Sequence, residues 1–350
     1  MNMKWVFGPI VASVALIGVV ASLPIVLPIW QEYRPRPKVV VDIAMRAQAI
    51  DALAAQLNAH YVFPEKAQAI ETLLRTRLRN GDYDAITNGE QLAKVLTADM
   101  ASVAHDLHMN VQFSPDVLPP EAPAEFRPAA TGSEPILLRW IDALGRSMAS
   151  FGVRKTDHLA SNIGYLDMAH FFPPHLAGEK YANALDDLAD TDAIIIDLRR
   201  ATGGHPVSVA LLASYFVDKR TRLNDIWARD TGVSKQFWTQ DRLAGKRYGG
   251  QKKMAILVGP GTRSAAEDFA YTMQAMKRAT VIGARTWGGA HPTGYYRLND
   301  HFAGLIPDRR SISPITNANW EGVGVIPDVA VAPADALKVA QELLTRPPKT

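Results

Sequence analysis

The feature that most constrains this chain is a strand–turn–helix pattern in residues 254–269, M-A-I-L-V-G-P-G-T-R-S-A-A-E-D-F. The run opens with apolar residues that have the length and types of a buried strand. Gly259, Pro260 and Gly261 then interrupt the strand and force a tight turn. After Ser264, apolar residues recur with helical spacing, at Ala266, Phe269, Ala270, Met273 and Met276. The pattern predicts a serine at the N-terminus of a helix that follows a buried strand.

Two interpretations fit Ser264. A helix N-terminus offers free backbone N–H groups and the positive end of the helix dipole, which stabilise developing negative charge. A serine nucleophile needs such a place, because its attack generates an oxyanion. Ser264 followed by Glu267 also fits a capping box, in which the serine is purely structural. This pattern alone favours the capping box, so the catalytic interpretation depends on partners elsewhere in the chain.

Alternating strands and helices around this unit predict an α/β sheet. Residues 193–197, A-I-I-I-D, form a second buried strand, followed by a glycine-containing loop and a helix over residues 206–217. Ligands in such sheets collect where strands end and helices begin. Further strands are predicted at residues 109–113, 136–148, 151–155, 162–166, 279–282 and 322–331, and further helices at residues 179–188 and 335–344.

The chain divides into several segments beyond its N-terminus. Apolar stripes with helical spacing predict a three-helix domain in residues 40–114. Residues 115–135, rich in proline and alanine, predict a linker. Residues 136–334 then form the predicted α/β core, and residues 335–350 a C-terminal helix and tail.

Residues 1–39 predict a membrane anchor followed by a stiff linker. The run from Trp5 to Trp30 is uncharged and mostly apolar. A membrane-spanning helix needs about 20 such residues, whereas the apolar region of a secretory signal usually has about 7–15. Because V-V-A at residues 19–21 also fits a signal-peptidase site, secretion after signal cleavage is the alternative. We therefore expect a membrane-anchored protein with its bulk outside the cytoplasm, in the periplasm or the extracellular space.

Composition excludes several classes of function. The net charge is only +3 and no long basic run is present, so no nucleic-acid partner is expected. The chain has no cysteine, which rules out disulfides, cysteine nucleophiles and thiolate metal sites. His105 and His108 are close in sequence but lack an HExxH pattern or a comparable carboxylate cluster, so no metal site is predicted. Nucleotide-binding glycine motifs are also absent, and no cofactor is expected. The sequence does not define an oligomeric state.

A serine nucleophile requires a base, because serine is weakly nucleophilic at neutral pH. His108, two residues after Asp106, is the candidate, and His291 after a Gly-Gly-Ala run is the possible alternative base. Glu321 precedes a Gly-Val-Gly run and could orient or polarise the base. Its alternative role is that of a solvated loop carboxylate.

The oxyanion that Ser264 would generate requires backbone donors. Gly203 and Gly204 open a helix and could present an N–H group to it, with Ala265 as the natural second donor. A plain tight turn is the alternative interpretation of the two glycines.

Five motifs in this order resemble those of the tail-specific, C-terminal-processing serine peptidases. They are S-N-I-G-Y-L at residues 161–166, I-I-D-L-R-R-A-T-G-G at 195–204, T-R-S-A-A-E-D-F at 262–269, G-A-R-T-W-G-G-A at 283–290 and G-V-G-V-I-P-D-V at 322–329. Within this family the chain is most similar to the branch of the interphotoreceptor retinoid-binding protein and the tricorn core. The resemblance implies a crotonase/ClpP-like α/β core sheet with flanking helices, preceded by a small helical N-terminal unit.

The resemblance also implies a polypeptide substrate and roles for individual residues. By position, Ser264 matches the family's nucleophile, and Ala265 with Gly203 or Gly204 its oxyanion hole. The histidine and glutamate of the tricorn-like branch fall on His108 and Glu321. These matches imply a serine peptidase with a Ser–His–Glu arrangement.

Three positions depart from the family pattern. Gly289 stands where processing peptidases with a Ser–Lys dyad have lysine, Ala201 replaces an asparagine, and Leu107 replaces a serine before the histidine. No stretch has the signature of an inserted PDZ domain. The alternative to a peptidase is therefore a weak or inactive family member that binds hydrophobic ligands or polypeptide tails. A crotonase-type acyl-CoA enzyme is a third possibility, and it would not need Ser264.

Overall fold

The computed structural model describes residues 38–120 and 151–346, which contain seven helices and twelve strands. The helices are α1 (Ile43–His60), α2 (Pro64–Arg79), α3 (Gly89–Ala104), α4 (Pro174–Asp187), α5 (Pro206–Ser214), α6 (Ala265–Ala275) and α7 (Ala336–Thr345). The strands are β1 (Asn110–Phe113), β2 (Val153–Leu159), β3 (Ile163–Met168), β4 (Ala193–Asp197), β5 (Arg222–Ala228), β6 (Ser234–Trp238), β7 (Lys253–Val258), β8 (Thr280–Gly283), β9 (Thr293–Arg297), β10 (Phe302–Pro307), β11 (Arg309–Ile312) and β12 (Val329–Ala330).

A six-stranded sheet lies at the centre, in the order β12-β8-β7-β4-β3-β2. All its neighbouring strands are parallel except β2, which runs antiparallel to β3 at one edge. Parallel strands are covered on both faces, which explains why β4 and β7 consist of continuous apolar runs. Asp197 at the end of β4 pairs with Leu257 near the end of β7, so the loops that follow these two strands begin side by side.

Helices cover the two faces of this sheet, which confirms the predicted α/β class. Because side chains alternate along a strand, Ile194 and Ile196 pack into the core cluster formed with α4, α5 and α6. Ile195 faces the opposite cluster, where it joins Ala340 and Leu344 of α7.

The three predicted N-terminal helices are present as α1, α2 and α3. Asp42 and Asn88 cap α1 and α3, each accepting a hydrogen bond from a backbone N–H three residues later. Their apolar faces pack against the antiparallel sheet β1-β10-β9, and Phe302 and Ile306 of β10 belong to the same core cluster. The chain leaves α3 through His105, whose φ of 56° ends the helix and turns the chain towards β1.

The strands and helices predicted around the two glycine loops are confirmed within a few residues. The strand predicted at residues 322–331 is wrong except for β12, because Gly322 and Gly324 adopt φ of 68° and 75°. The carbonyl of Trp320 accepts hydrogen bonds from the N–H groups of Val323 and Gly324, which makes this segment a turn. The antiparallel strands β5, β6, β9, β10 and β11 were not predicted.

The predicted anchor from Trp5 to Trp30, the strand at residues 136–148 and most of the linker at residues 115–135 lie outside the described residues. Over residues 38–120 and 151–346, no helix is long and apolar enough to cross a membrane.

Candidate active site

Ser264 occupies a strained turn between β7 and α6. Its backbone has φ of 51° and ψ of −119°, a conformation that costs energy for any residue with a β-carbon. Thr262 secures the turn: its hydroxyl donates to the carbonyl of Leu198 at 2.8 Å and accepts from the N–H of Gly259 at 3.0 Å. Residues in such conformations cluster at functional sites, where the surrounding structure holds them in place.

Glu267, in the first turn of α6, holds the surroundings of Ser264 together. Its buried carboxylate accepts hydrogen bonds from the N–H of Ser264 at 2.8 Å, of Gly288 at 2.6 Å and of Gly289 at 3.1 Å, and from the hydroxyl of Thr286 at 2.5 Å. Burial raises the pKa of Glu267, and these four hydrogen bonds oppose the shift. The hydrogen bond from the N–H of Ser264 to Glu267 that a capping box requires is therefore present. The same carboxylate also connects residues 286–289 to the serine turn.

Gly203 lies directly against the serine. Its φ is 100°, and a β-carbon there would lie 2.8 Å from Cβ of Ser264 and 3.3 Å from the backbone nitrogen of Ala265. A side chain is therefore excluded by both backbone conformation and space. The structure thus brings one of the two predicted glycines together with Ser264 and Ala265.

Gly204 has a different neighbour. A β-carbon at this residue, whose φ is 130°, would lie 2.3 Å from the carbonyl oxygen of Phe171. Phe171 donates its N–H to the carbonyl of Gly203 and accepts from the N–H of His205, both at 2.7 Å, so the glycine loop pairs with the chain that continues β3. The glycine loop therefore contacts the turn at Ser264 on one side and the segment around Phe171, which follows β3, on the other.

His108 lies in the space next to Gly289. Its ring packs edge-on against Trp287, with ring centroids 4.8 Å apart. A β-carbon on Gly289 would lie 2.5 Å from Cε1 of His108 and 2.3 Å from the Trp287 ring. Since Glu267 bonds both Gly289 and Ser264, His108 belongs to the surroundings of the serine. No hydrogen bond joins His108 to the Ser264 hydroxyl within the described ranges.

Glu321 and Asp106 lie beside His108. One donor atom from each of the three residues lies within 4.8 Å of the other two. Oε2 of Glu321 accepts from the N–H of Ala290, whereas Oε1 of Glu321 and Nδ1 of His108 are buried without a hydrogen-bond partner. Glu321 is therefore not the solvated loop carboxylate of the alternative interpretation, and its side chain is only 14% exposed.

His291 contacts both carboxylates of this group. Its Nδ1 lies 2.8 Å from Oδ2 of Asp106 and 3.4 Å from Oε2 of Glu321, and its ring packs edge-on against Phe63. Both carboxylates therefore contact the ring of His291 through the same nitrogen.

Burial sets the protonation of these side chains. It lowers the pKa of His108 to about 4, with Asp106 acting in the opposite direction and His291 adding to the shift. Burial and the nearby charge of Asp106 raise the pKa of Glu321, and His291 opposes this. His108 is therefore neutral at physiological pH and able to accept a proton.

Sequence reasoning missed Glu267, Asp106 and Trp287 as members of the site. Glu267 was visible only as a capping residue, and Asp106 only as a neighbour of His108. Trp287 carries no motif signal outside the resemblance, because its contact with His108 depends on the fold.

Two family models match the chain. One is described as "Peptidase family S41" and covers residues 162–331; the other, the N-terminal domain of that family in eukaryotic IRBP, covers residues 43–142. The chain belongs to peptidase family S41. This confirms the family resemblance.

Individual relatives agree with this assignment. The carboxyl-terminal-processing protease of Synechocystis is 26% identical over 172 residues, which cover 49% of this chain and 38% of that protease. The matched region thus spans well under half of this relative's length. The photosystem II D1 C-terminal processing protease has a TM-score of 0.50 at 16% identity, covering 82% of this chain and 93% of that one. The tricorn protease reaches 0.54 at 14% identity, covering 86% of this chain and 36% of that one. These structures confirm the expected fold.

Proposed function

We propose that this S41 family member is a serine peptidase that cleaves polypeptides, with Ser264 as nucleophile, His108 as base and Glu321 as the carboxylate that orients the base. The observation that carries the proposal is the position of His108 against Gly289, where Ser–Lys members of the family have lysine. Gly289 leaves room for the imidazole of His108. The presence of glycine in place of lysine therefore argues against a lysine base and supports a histidine base.

In the proposed reaction, Oγ of Ser264 attacks the carbonyl carbon of the scissile peptide bond while His108 removes the hydroxyl proton. The N–H of Ala265 and that of Gly203 or Gly204 stabilise the oxyanion. His108 then returns the proton to the leaving amine, and a water molecule activated by His108 hydrolyses the acyl-enzyme. Glu321 and Asp106 stabilise the imidazolium that forms in both steps.

The hydrogen bond between Ser264 and His108 is expected to form when substrate binds. Catalytic hydrogen bonds are often long or absent without substrate and tighten in the Michaelis complex. Trp287 packs against His108 and also lies under the guanidinium of Arg263, the residue before the nucleophile, with 5.4 Å to the ring centroid. These packed rings limit where the imidazole can move.

Loss of the family asparagine at Ala201 is compatible with this arrangement. Ala201 is fully buried, and its backbone carbonyl accepts a hydrogen bond from the N–H of Arg263 at 3.0 Å. The backbone of this loop therefore holds the residue next to the nucleophile without help from a side chain at position 201.

The proposal is tested with a fluorophosphonate probe, which reacts covalently with activated serine hydroxyls. We expect one adduct per chain, mapped by peptide mass spectrometry to Ser264, and none in Ser264→Ala. A protein that binds hydrophobic ligands or polypeptide tails without catalysis would stay unlabelled, and that result would contradict the proposal.

We further propose that residues 1–39 anchor the protein in a membrane with the peptidase part outside the cytoplasm, on the strength of the uncharged run from Trp5 to Trp30. The full-length protein should stay in the membrane fraction through a carbonate wash, and deletion of residues 1–30 should release it. If expression of the full sequence gives a soluble protein whose N-terminus is Ser22, the segment is a cleaved signal instead.

A further inference from the structure

Asp106, His108 and Glu321 have the composition of a metal-binding group, in which Glu321 is far in sequence from the other two. An imidazole nitrogen and two carboxylates are ligands that Zn²⁺ takes at about 2.0–2.2 Å. Their donor atoms already lie within 4.8 Å of one another. In a tetrahedral site, ligand atoms are about 3.4 Å apart at those bond lengths, so small side-chain movements would bring them into range.

Two of these residues also have unused donor atoms. Nδ1 of His108 and Oε1 of Glu321 are buried and have no hydrogen-bond partner. Leaving buried polar atoms unpaired costs free energy, and a cation bound through these atoms would pair them without breaking a hydrogen bond at either one.

Neighbouring residues hold the two carboxylates in place. Oδ2 of Asp106 bonds to Nδ1 of His291 at 2.8 Å, and Glu321 accepts the N–H of Ala290. Outer contacts of this kind orient the ligands in established metal sites. The two carboxylates also repel each other in this buried position, and a divalent cation would remove that repulsion.

We propose that Asp106, His108 and Glu321 form a Zn²⁺ site whose occupation reversibly inhibits the enzyme. A ring nitrogen of His108 bound to zinc fixes the imidazole away from Ser264, and the cation prevents the ring from accepting a proton. The inhibition rests on the proposed peptidase function, whereas the binding of the metal does not.

The binding is tested by isothermal titration of full-length, chelator-treated protein with ZnCl₂. We expect one Zn²⁺ per chain and a rise in melting temperature, because a ligand that binds only the folded state stabilises it. MgCl₂ at the same concentrations should give no signal, since Mg²⁺ prefers oxygen ligands and keeps its water.

Variants identify the site. Loss of an outer contact alone typically costs about 10–100-fold in metal affinity, so His108→Ala and Glu321→Gln should each weaken Zn²⁺ binding by about a hundredfold or more. The matched control is His158→Ala, because His158 also lies near a carboxylate, with 3.8 Å between its Nε2 and Asp187, but on the surface. The control should leave the affinity unchanged. Circular dichroism shows whether each variant is folded. If His108→Ala does not fold, the Zn²⁺ affinity of Glu321→Gln, which conserves the shape of the side chain, tests the site alone.

A stoichiometric site lost in the two variants and kept in the control supports the proposal. Absent binding, or affinity unchanged in folded Glu321→Gln, overturns it. Fluorophosphonate labelling in the presence of Zn²⁺ tests the inhibition separately: labelling should stop over the concentration range of binding and return with a chelator. Zinc binding without loss of labelling would refute the inhibition alone. A protein never labelled, with or without Zn²⁺, would refute the proposed function and leave the metal site established by the titration.

Discussion

At the scale of single residues, the site is defined by the space that Gly289 leaves for His108. A β-carbon on Gly289 would lie 2.5 Å from the imidazole and 2.3 Å from Trp287. Glycine is therefore required here by the nearness of His108 and Trp287 and not by a positive φ.

Gly289→Ala should therefore displace His108 and lower peptidase activity by about a hundredfold, the loss expected from a misplacement of about 1 Å. Gly178→Ala is the control, because a β-carbon there meets only Leu211 at an ordinary 3.6 Å. Peptide hydrolysis and melting temperature are measured for both variants. Wild-type turnover in Gly289→Ala would show that His108 does not depend on this space.

The pH dependence of catalysis also belongs to this scale. Since the pKa of His108 is lowered to about 4, the base stays neutral well below pH 7. The raised pKa of Glu321 means that this carboxyl gains its proton first as pH falls, and the imidazolium then loses its stabilising charge. The rate should therefore fall with an apparent pKa above the ordinary glutamate value of about 4.3.

Glu321→Gln removes that titrating group. In this variant kcat/KM should be lower on the plateau, and its acid limb should move down towards the pKa of His108. If the acid limb of the pH profile of kcat/KM is the same in Glu321→Gln as in the wild type, the ionisation that lowers the rate belongs to another residue.

At the scale of elements, α6 directly follows Ser264 and carries the buried carboxyl group of Asp268. Oδ1 of Asp268 accepts hydrogen bonds from Thr272 at 3.2 Å and from Asn224 of β5. Burial raises its pKa to about 6, and the two hydrogen bonds oppose the shift. The folded state therefore binds a proton that the unfolded state releases, and stability falls as pH rises from about 4 to about 6.

Asp268→Asn keeps both hydrogen bonds to Oδ1 and removes the buried charge. It should raise the free energy of unfolding at pH 7.5 by up to about 3 kcal/mol, since each pKa unit corresponds to about 1.4 kcal/mol. The gain should vanish near pH 4, where Asp268 is protonated in the folded protein. Urea titrations at both pH values measure this, and a destabilised variant at pH 7.5 would contradict it.

The elements that sequence reasoning predicted are those whose signals are local. The strand ending at Asp197 and the turn before Ser264 have apolar runs and glycines that need no distant partner to be recognised. Strands such as β9 and β10 were missed because their residues are stabilised by α1–α3, far away in the sequence. His108 and Glu321 could be named as candidates from the sequence and matched to roles through the family resemblance, but their contact with each other could not be predicted, because it depends on the fold.

At the scale of the whole molecule, the N-terminal helices and the α/β core depend on each other. Leu298, Phe302 and Ile306 lie in the core cluster of α1–α3, and Arg229 donates to the carbonyls of Asn58 and Tyr61. We therefore propose that the two predicted domains form one folding unit. The proposed base, His108, comes from the first and the proposed nucleophile, Ser264, from the second.

A fragment that begins at residue 115 would expose this apolar surface and lack the base. It should be aggregation-prone or unfold at a much lower temperature than a fragment beginning at residue 38, and it should be unlabelled by fluorophosphonate. A soluble fragment from residue 115 with the stability of the longer one would show that the helices are an independent domain.

The most direct test of the account is the rate of fluorophosphonate labelling in His108→Ala and in His291→Ala. The central claim is that His108 activates Ser264 while His291 only holds the carboxylates. A general base contributes about 10²–10⁴-fold, so labelling of Ser264 should slow by that amount in His108→Ala and far less in His291→Ala. Wild-type labelling in His108→Ala, with the loss in His291→Ala instead, would contradict the account.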